Sequence, residues 1–401
     1  IQLGPYVYDA VFLTGEMGEK LLPFHGDVLR TVMTRTNPLR FGEAYRDAVR
    51  SSDNITVLLN ANVLTLEADG AGRNVSRARI ATLNGKRFSV RARSYVAACG
   101  GIENPRLLLL SQQAGGQPFG NGHDTVGRFF MEHLLYSGGL LVVADDNTDY
   151  GIYAEAKEHD SSQLQAMLAF HPTFLAREKL PNLYFELEEQ RGYGFSDGIE
   201  AISDILRSVA SLRWPDKLGS RAAAILGDVD VLVDGTAEKV IGKPLFRDKP
   251  PLAFRLRSLG EQVPNPDSRV TLGTQTGRFG LPVADLAWQT TEQDIAALLQ
   301  SFEIVAREAG RAGLGRVKLD TAEIGEVPLP TMRGGHHHMG TTRMSDDPRN
   351  GVVDRNCRVH GMGNLYVAGS SVFPTAGYGN PTLTIVALAL RLAGHLQQEL
   401  A

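Results

Sequence analysis

Three consecutive histidines, His336 to His338, lie near the C-terminal end of the chain. A neutral imidazole has an ordinary pKa near ~6.5, so one of them could act as a base at neutral pH. Asn380 and Pro381 follow, as residues typical of a helix N-cap and first helical position, before the largely apolar run Thr382–Leu396. A helix start carries unpaired N–H groups and can hold an anion or an electron-rich ring edge. A base beside such a helix favours redox or hydrolytic chemistry over a binding module.

A second candidate element lies earlier, where an apolar run meets two glycines. Tyr95–Cys99 is predicted to be a buried strand, Gly100 and Gly101 a turn, and Arg106–Ser111 a helix. Doubly wound sheets bring the backbone against a cofactor at a turn of this kind. An ordinary tight turn between a strand and a helix has the same spacing, so the pattern alone leaves both interpretations open.

The middle of the chain changes character from about residue 135. Strands followed by helices predict a second domain, a sheet with helices on one face, inserted into the first. A linker is expected at 242–251. The predicted strands include Gly138–Ala144, Leu164–Phe170, Leu183–Glu188 and Phe254–Arg257, and the predicted helices fall at 199–226 and Asp294–Ala312. Before this region, the sequence predicts a helical stretch around Gly18–Leu22, a strand at Ile55–Leu59 and a hairpin at Asn84-Gly85.

Composition narrows the class of protein. The chain has 401 residues, enough for two or three domains, and a net charge of -4 without a basic run, which argues against a nucleic-acid surface. Two cysteines cannot build a disulfide framework. No apolar run reaches the roughly 18 residues of a membrane span. The first residue is Ile1, in what resembles a loop, so we expect a piece of a longer protein whose compartment, cytoplasmic or periplasmic, is not predictable.

Two other chemistries fit the sequence less well. A zinc site needs separated ligands, and of the three adjacent histidines at most His336 and His338 could share an ion, so no metal is predicted. A Ser-His-Asp hydrolase needs a nucleophile elbow, and Ser370-Ser371 lacks its glycine frame. His133 is expected to bond to the backbone at a domain junction. A metal-dependent enzyme using His336 and His338 remains the weaker alternative.

The combined pattern strongly resembles the glucose–methanol–choline (GMC) flavoprotein oxidoreductases, over nearly the whole chain and in the order of that family. The ending resembles the pyranose-oxidase and bacterial sugar-dehydrogenase branch, whose second catalytic position is Asn. The matching stretches are Val96–Gly101, Glu103–Leu108, Gly127–His133, Pro264–Leu272, His337-x-x-Gly340-Thr341-x-x-Met344, Gly351–Asp354, Val359-x-Gly361, Leu365–Val367, Ser371-x-x-Pro374 and Asn380-Pro381-Thr382.

The resemblance implies an FAD-dependent oxidation of a CH–OH group in an alcohol or sugar. His337 would take the hydroxyl proton while hydride passes to flavin N5, and Asn380 would orient the same hydroxyl. The helix that starts after Asn380 would stabilise negative charge on the reduced flavin. Where many relatives have Asp, this chain has Gly369. The flavin contacts implied by the family fall on Val63, Gly100, Gly101, Gly369, Ser370, Pro381 and Thr382.

One family feature is absent, the glycine-rich GxGxxG turn that holds the flavin pyrophosphate. We therefore expect an α/β fold with a doubly wound FAD-binding domain, incomplete at its N-terminus and formed by 1–134 and 336–401. An α+β substrate domain would span 135–335. The alternative is a truncated, non-catalytic member that acts as a folded fragment or a partner-binding subunit.

The expected partners are a small alcohol or sugar and an electron acceptor, which could be oxygen, quinone or a cytochrome subunit. A homo-oligomer is compatible with the sequence.

Overall fold

The computed structural model describes residues 8–24, 26–36, 39–112, 116–145, 147–160, 162–191, 197–210, 214, 218–241, 245, 252–319 and 332–401. The linker predicted at 242–251 lies outside these residues, apart from Leu245. Within the described ranges, no helix is both long enough and apolar enough for a membrane crossing.

The helices, in chain order, are α1 Ala10–Met17, α2 Phe41–Ala44, α3 Arg46–Ser51, α4 Gly100–Leu110, α5 Gly151–Ala154, α6 Pro172–Glu178, α7 Asp197–Ala210, α8 Leu218–Gly227, α9 Val229–Ile241, α10 Glu292–Arg311 and α11 Thr382–Leu400. The strands are β1 Leu29–Thr36, β2 Asn62–Ala68, β3 Val75–Ala81, β4 Arg87–Val90, β5 Tyr95–Ala97, β6 Leu134–Val143, β7 Lys157–His159, β8 Ser162–Phe170, β9 Leu183–Arg191, β10 Leu252–Gly260, β11 Arg269–Thr276, β12 Pro282–Ala287, β13 Gly315–Leu319, β14 Arg333–Gly334 and β15 Leu365–Val367.

The largest sheet is antiparallel, with strand order β1-β8-β9-β10-β6-β13, while β7 pairs with β8 and β14 with β6. Side chains alternate between its two faces. One face builds the main core against α1, α5, α6 and α10, as with Phe185 against Phe302. The other face carries a smaller cluster that includes Val32, Met167, Ala169, Tyr184 and Leu259, with Tyr378 packed against it. The prediction of a sheet with helices on one face is confirmed.

Helix α10 shows why this face is well covered. Thr291 accepts a hydrogen bond from the Asp294 N–H, and the Asp294 carboxylate accepts one from the Thr291 N–H, so the helix begins with a capping box. Leu298, Phe302 and Val305 then recur at helical spacing and are buried in the main core. The helix predicted over Asp294–Ala312 is confirmed.

The second region of the molecule combines a meander with a parallel pair of strands. Strands β2, β3 and β4 form an antiparallel sheet, and Gly85, with φ of 86°, provides the predicted hairpin turn between β3 and β4. Strand β5 pairs with β15 in parallel. Helix α4 follows β5 after two residues, as the predicted strand and helix require, but it begins at Gly100 rather than Arg106, so both glycines lie in its first turn and not in a separate turn before it. This parallel pair is what the described residues contain of the expected doubly wound sheet.

Three features of the N-terminal region differ from the sequence predictions. Ile55–Leu59 forms no strand; these side chains are exposed, and no described strand lies beside them to pair with. The first helix is Ala10–Met17 rather than a stretch around Gly18–Leu22, because Gly18 has φ of 69° and ends it. Strand β1 belongs to the large sheet, paired with β8 in a register that joins Leu29 to Phe170, although residues 1–134 were all expected in the cofactor domain.

Candidate active site

The histidine segment lies beside the segment that contains Gly127–His133, as an irregular antiparallel pair. At one end, Arg333 and Gly334 of β14 pair with Leu135 and Leu134 of β6, and the Gly335 N–H donates to the His133 carbonyl at 3.0 Å. At the other end, Met339 and Met131 exchange two backbone hydrogen bonds of 3.0 Å. Two motifs that are about two hundred residues apart in sequence therefore fold as neighbours.

A bulge between these two ends holds the histidines. His336, His337 and His338 separate the paired residues Gly335 and Met339, and Glu132 alone separates His133 from Met131 on the opposite side. His336 has a φ of 59°, in the left-handed region that non-glycine residues rarely adopt. Bulges bend the strand and re-aim its side chains, and they are frequent next to active sites.

Glu132 fills the inside of this bulge. Its side chain is only 5% exposed, and its Oε2 accepts a hydrogen bond of 2.8 Å from the backbone N–H of His337. Its Oε1 lies 3.1 Å from Nε2 of His338. The carboxylate thus satisfies an N–H group that the bulge removes from the ladder, and it places a negative charge beside the histidines.

His337 contacts a second histidine through its ring. Its Nδ1 lies 2.9 Å from Nδ1 of His133, and the two rings meet edge to face at a centroid distance of 4.9 Å. Partial burial lowers the pKa of His337, Glu132 raises it, and the neighbouring histidines His336 and His338 lower it. The net pKa of His337 is below its ordinary value, so the ring is neutral and able to accept a proton at neutral pH.

Asn380 lies in a loop that is held in place by the carboxylate of Glu261. The Gly377 N–H donates to Glu261 Oε1 at 3.1 Å, and the other oxygen of Glu261 accepts from the Asn182 N–H at 3.2 Å. Tyr378 then packs edge to face on Tyr184 of β9, with ring centroids 5.7 Å apart. The loop is therefore attached to the large sheet, and this attachment places Asn380 at the edge of a cavity.

This cavity is about 440 Å³ and opens between the large sheet and the start of α11. Tyr378, Asn380 and Thr382 line it from the helix side, and Tyr184 and Thr34 line it from the sheet side. Its lining mixes aromatic faces with hydroxyl and amide groups, which is typical of a site for a small polar molecule.

The start of α11 differs from the prediction in one detail. Asn380 was expected to cap the helix, but Pro381 occupies the cap position and no side chain caps it among the described residues. The Asn380 side chain is exposed to the cavity instead, because the backbone turns into the helix one residue later than expected. The N–H groups of the first turn of α11 remain without a side-chain cap.

The glycines expected near a flavin separate into two groups. Gly100 and Gly369 follow the carboxyl ends of the parallel strands β5 and β15, have φ of 86° and 113°, and have no atom within 4 Å of an added Cβ. Gly101 differs, because an added Cβ would lie 2.6 Å from both Cβ and O of His338. It allows the histidine segment to pack closely on α4.

The other residues implied by the family lie around these turns. The Ser370 hydroxyl donates to the His338 carbonyl at 2.6 Å, so it also supports the histidine segment. Pro381 is buried and Thr382 exposed at the start of α11. Val63 is 45% exposed on β2. Open glycine backbone at the ends of parallel strands, together with an uncapped helix start, is an arrangement that fits a dinucleotide and a flavin ring.

The histidines of the bulge were also considered as metal ligands from sequence. Across the described ranges, no group of three or more His, Cys, Asp or Glu side chains is arranged to hold a metal ion. His336 and His338, the pair considered from sequence, differ in surroundings: His336 is exposed, and His338 faces Glu132.

Sequence reasoning missed three residues that the fold brings to the site. His133 was expected to bond to the backbone and does lie beside the backbone of Ala376 and Gly377, but its contact with the candidate base was not predicted. Glu132 and Glu261 received no role, although they hold the two segments that carry His337 and Asn380. The signal in the sequence was the Met-Glu-His run at the end of the Gly127–His133 motif, directly before a strand. In the structure both ionisable residues of this run are buried, which is unusual for such side chains.

Comparison with known proteins shows what this chain is similar to. Residues 264–389 match the family model described as GMC oxidoreductase. The chain is 27% identical over 331 residues to 2-methyl-1,2-propanediol dehydrogenase of Mycolicibacterium austroafricanum, covering 82% of this chain and 52% of that protein. It is 23% identical over 361 residues to the fructose dehydrogenase large subunit of Gluconobacter japonicus, covering 86% and 54%.

Among solved structures, pyridoxine 4-oxidase from Mesorbium loti has the same fold, with a TM-score of 0.52 and 20% identity over 89% of this chain and 61% of that one. The chain spans about half the length of the relatives described above.

Proposed function

We propose that this chain is the catalytic part of an FAD-dependent enzyme, because residues 264–389 match the GMC oxidoreductase family model. Its reaction would be oxidation of a CH–OH group in an alcohol or a sugar. The observation that carries the proposal is the bulge in which His337, kept neutral by burial, contacts His133 beside the turns of Gly100 and Gly369. A base and an open cradle for a flavin meet in one place.

In the proposed reaction, His337 takes the proton of the substrate hydroxyl at Nε2, because its Nδ1 is engaged by His133. Asn380 hydrogen-bonds the same oxygen and fixes which hydrogen of the carbon faces the flavin side. Gly100, Gly369 and the start of α11 are the residues that would hold FAD, which supplies the hydride acceptor when bound. The partial positive charge of the α11 start favours an anionic group there.

The cavity favours a substrate with both hydroxyls and apolar C–H faces. Tyr184 and Tyr378 offer aromatic surface, while Thr34 and Asn380 offer hydrogen-bonding groups. A diol or a sugar ring has both kinds of surface, and a diol dehydrogenase and a fructose dehydrogenase subunit are among the relatives. The electron acceptor could be oxygen, a quinone or a cytochrome subunit, the last because one relative is named as the large subunit of its enzyme.

Replacement of the base tests this proposal most directly. His337→Ala should slow flavin reduction by alcohols or sugars by roughly 10²–10⁴, because it removes the proposed acceptor of the hydroxyl proton. Anaerobic stopped-flow absorbance of the flavin measures this rate, and the spectrum before mixing shows whether flavin is bound. His336→Ala is the matched control, since His336 is exposed in the same bulge. Equal reduction rates for His337→Ala and the unmodified enzyme would exclude His337 as the base.

Asn380→Ala should have a smaller effect. It removes one hydrogen bond to the substrate oxygen, which contributes about 1.4 kcal/mol and changes the reduction rate roughly tenfold. The same stopped-flow measurement checks this. A loss as large as that of His337→Ala would contradict a purely orienting role for Asn380.

The second candidate is a non-catalytic member of the family, favoured by the absence of a GxGxxG turn. Titration of the purified chain with FAD separates the two, because bound flavin changes its visible absorption bands. A folded chain that never alters the flavin spectrum supports the non-catalytic alternative, and bleaching by an alcohol or sugar excludes it.

A further inference from the structure

His133 is a completely buried histidine with an unusual environment. Its side chain is 0% exposed, and one ring nitrogen, Nδ1, lies 2.9 Å from Nδ1 of His337. The other nitrogen, Nε2, is buried, and no described residue makes a hydrogen bond of normal distance and angle with it. The backbone of Ala376 and Gly377 lies beside the ring and favours its protonated form, as carbonyl oxygens do. His133 therefore lies between the bulge that holds His337 and the loop that leads to Asn380.

The short contact between two Nδ1 atoms allows only two arrangements of protons. A neutral imidazole has one N–H and one lone pair, so one ring must donate and the other accept. If His133 donates, then His337 has its proton on Nε2 and cannot accept another there. If His337 donates, its Nε2 has a free lone pair. The direction of this single hydrogen bond decides whether His337 can act as a base through Nε2.

The surroundings of His133 select the second arrangement. Carbonyl oxygens only accept hydrogen bonds, so an N–H of His133 pointing toward Ala376 and Gly377 is attractive, whereas a lone pair there is repulsive. Because Nδ1 is taken by His337, that proton belongs on Nε2. The Nδ1 of His133 is then an acceptor.

We propose that His133 is a positioning residue that fixes the tautomer of His337, accepting the His337 Nδ1–H so that Nε2 of His337 is free to take the substrate proton. This inference rests on the proposed role of His337 as the base. In the proton transfer, the substrate O–H bond breaks and an N–H bond forms at His337 Nε2. The Nδ1–H bond to His133 is the same before and after, so no group must reorient.

His133 also resists taking the proton itself. Burial and the neighbouring His337 lower the pKa of His133 to about 4. A second proton on His133 is therefore disfavoured near neutral pH, and the ring stays an acceptor while His337 becomes charged.

Nitrogen NMR of the purified chain tests the tautomer without any turnover. In protein labelled with ¹⁵N-histidine, two-bond proton–nitrogen correlations show which ring nitrogen carries the proton, and the His337→Ala spectrum identifies the His337 signals among the ten histidines. We expect His337 protonated at Nδ1 and His133 at Nε2. The opposite pattern, or a mixture of tautomers at His337, would overturn the proposal.

Two variants of His133 then separate tautomer control from simple packing. His133→Asn keeps a carbonyl oxygen close to the position of Nδ1, whereas His133→Leu keeps volume and removes the acceptor. In the flavin-loaded enzyme, His133→Leu should reduce kcat by roughly 10–100-fold with KM nearly unchanged, and His133→Asn should restore most of the rate. Equal losses in both variants, at equal thermal stability, would assign His133 a structural role only.

The outcomes also distinguish this inference from the proposed function. If His337→Ala reduces flavin at the normal rate while the NMR pattern is as expected, the base assignment fails and the hydrogen-bond direction stands. If His337→Ala is slow but His337 carries its proton on Nε2, the base assignment stands and the role of His133 fails. If both His133 variants unfold, the NMR result on the unmodified chain decides.

Discussion

Two long helices of similar length, α10 and α11, show how differently the two regions of this molecule are built. Helix α10 has 20 residues and buries a continuous row of side chains in the main core, with Leu298, Phe302 and Val305 at its centre. Helix α11 has 19 residues and a largely apolar sequence, yet only Leu392 is buried, and Leu390 is 69% exposed.

The difference lies in what each helix packs on. Helix α10 covers one face of a large antiparallel sheet, so its apolar residues are removed from water on folding. Helix α11 packs on the cluster around the short parallel pair β5 and β15, and Ile385, Leu388 and Leu396 are only partly buried there. The large sheet is thus covered by its own helices, whereas Gly100, Gly369 and the start of α11 are more exposed. The histidine bulge lies where the two regions meet.

The largest expected effect is a loss of stability in the main core of the large sheet. Phe254 of β10 is 0% exposed in the main core, so Phe254→Ala should lower the free energy of unfolding by about 3–5 kcal/mol. Leu390→Ala, on the exposed face of α11, should change it by no more than ~0.5 kcal/mol. Urea unfolding followed by circular dichroism measures both. A cost above 2 kcal/mol for Leu390→Ala would show that α11 is packed as tightly as α10.

A smaller effect tests whether the open turn binds a flavin. Gly100 and Gly85 both have φ of 86° and open space around an added Cβ, so alanine causes the same backbone strain at each. Only Gly100 follows a parallel strand. We expect Gly100→Ala to weaken FAD binding at least roughly tenfold and Gly85→Ala to leave it unchanged, measured by flavin fluorescence titration. Equal affinities would remove Gly100 from the cofactor site.

The smallest effect concerns the charge inside the bulge. Glu132 raises the pKa of His337, against the burial that lowers it. Glu132→Gln keeps an oxygen that can accept the His337 N–H but removes the charge, so the pKa of His337 should fall further. His337 would then stay neutral to lower pH, and the acidic limb of the pH–rate profile should move to lower pH.

Stopped-flow flavin reduction across a pH series measures this limb, and a shift toward higher pH would contradict the sign. Glu261→Gln is the matched control, because Glu261 holds the Asn380 loop and does not contact His337 among the described residues. Its pH profile should keep the limb of the unmodified enzyme.

Much of the fold was accessible from local patterns. The hairpin at Gly85, the strand before Gly100 and the amphipathic helix α10 are confirmed, because each depends on residues close in sequence. Strand β1 was missed because its partner β8 is more than one hundred residues away, and its sequence has no regular alternation of polar and apolar residues that would predict a strand locally. Ile55–Leu59 was predicted as a strand from apolar content alone, and no described strand pairs with it.

The amino-acid sequence alone gave the resemblance to the GMC oxidoreductases and the prediction of His337 and Asn380 as site residues, because both rest on residue types at a fixed spacing along the chain. Only the tertiary structure decided what surrounds them. Glu132 and His133 stand opposite the histidines because two distant segments pair with unequal numbers of residues and leave a bulge. Register, burial and the direction of a hydrogen bond are properties of such a pairing between segments, so no local stretch of sequence contains them.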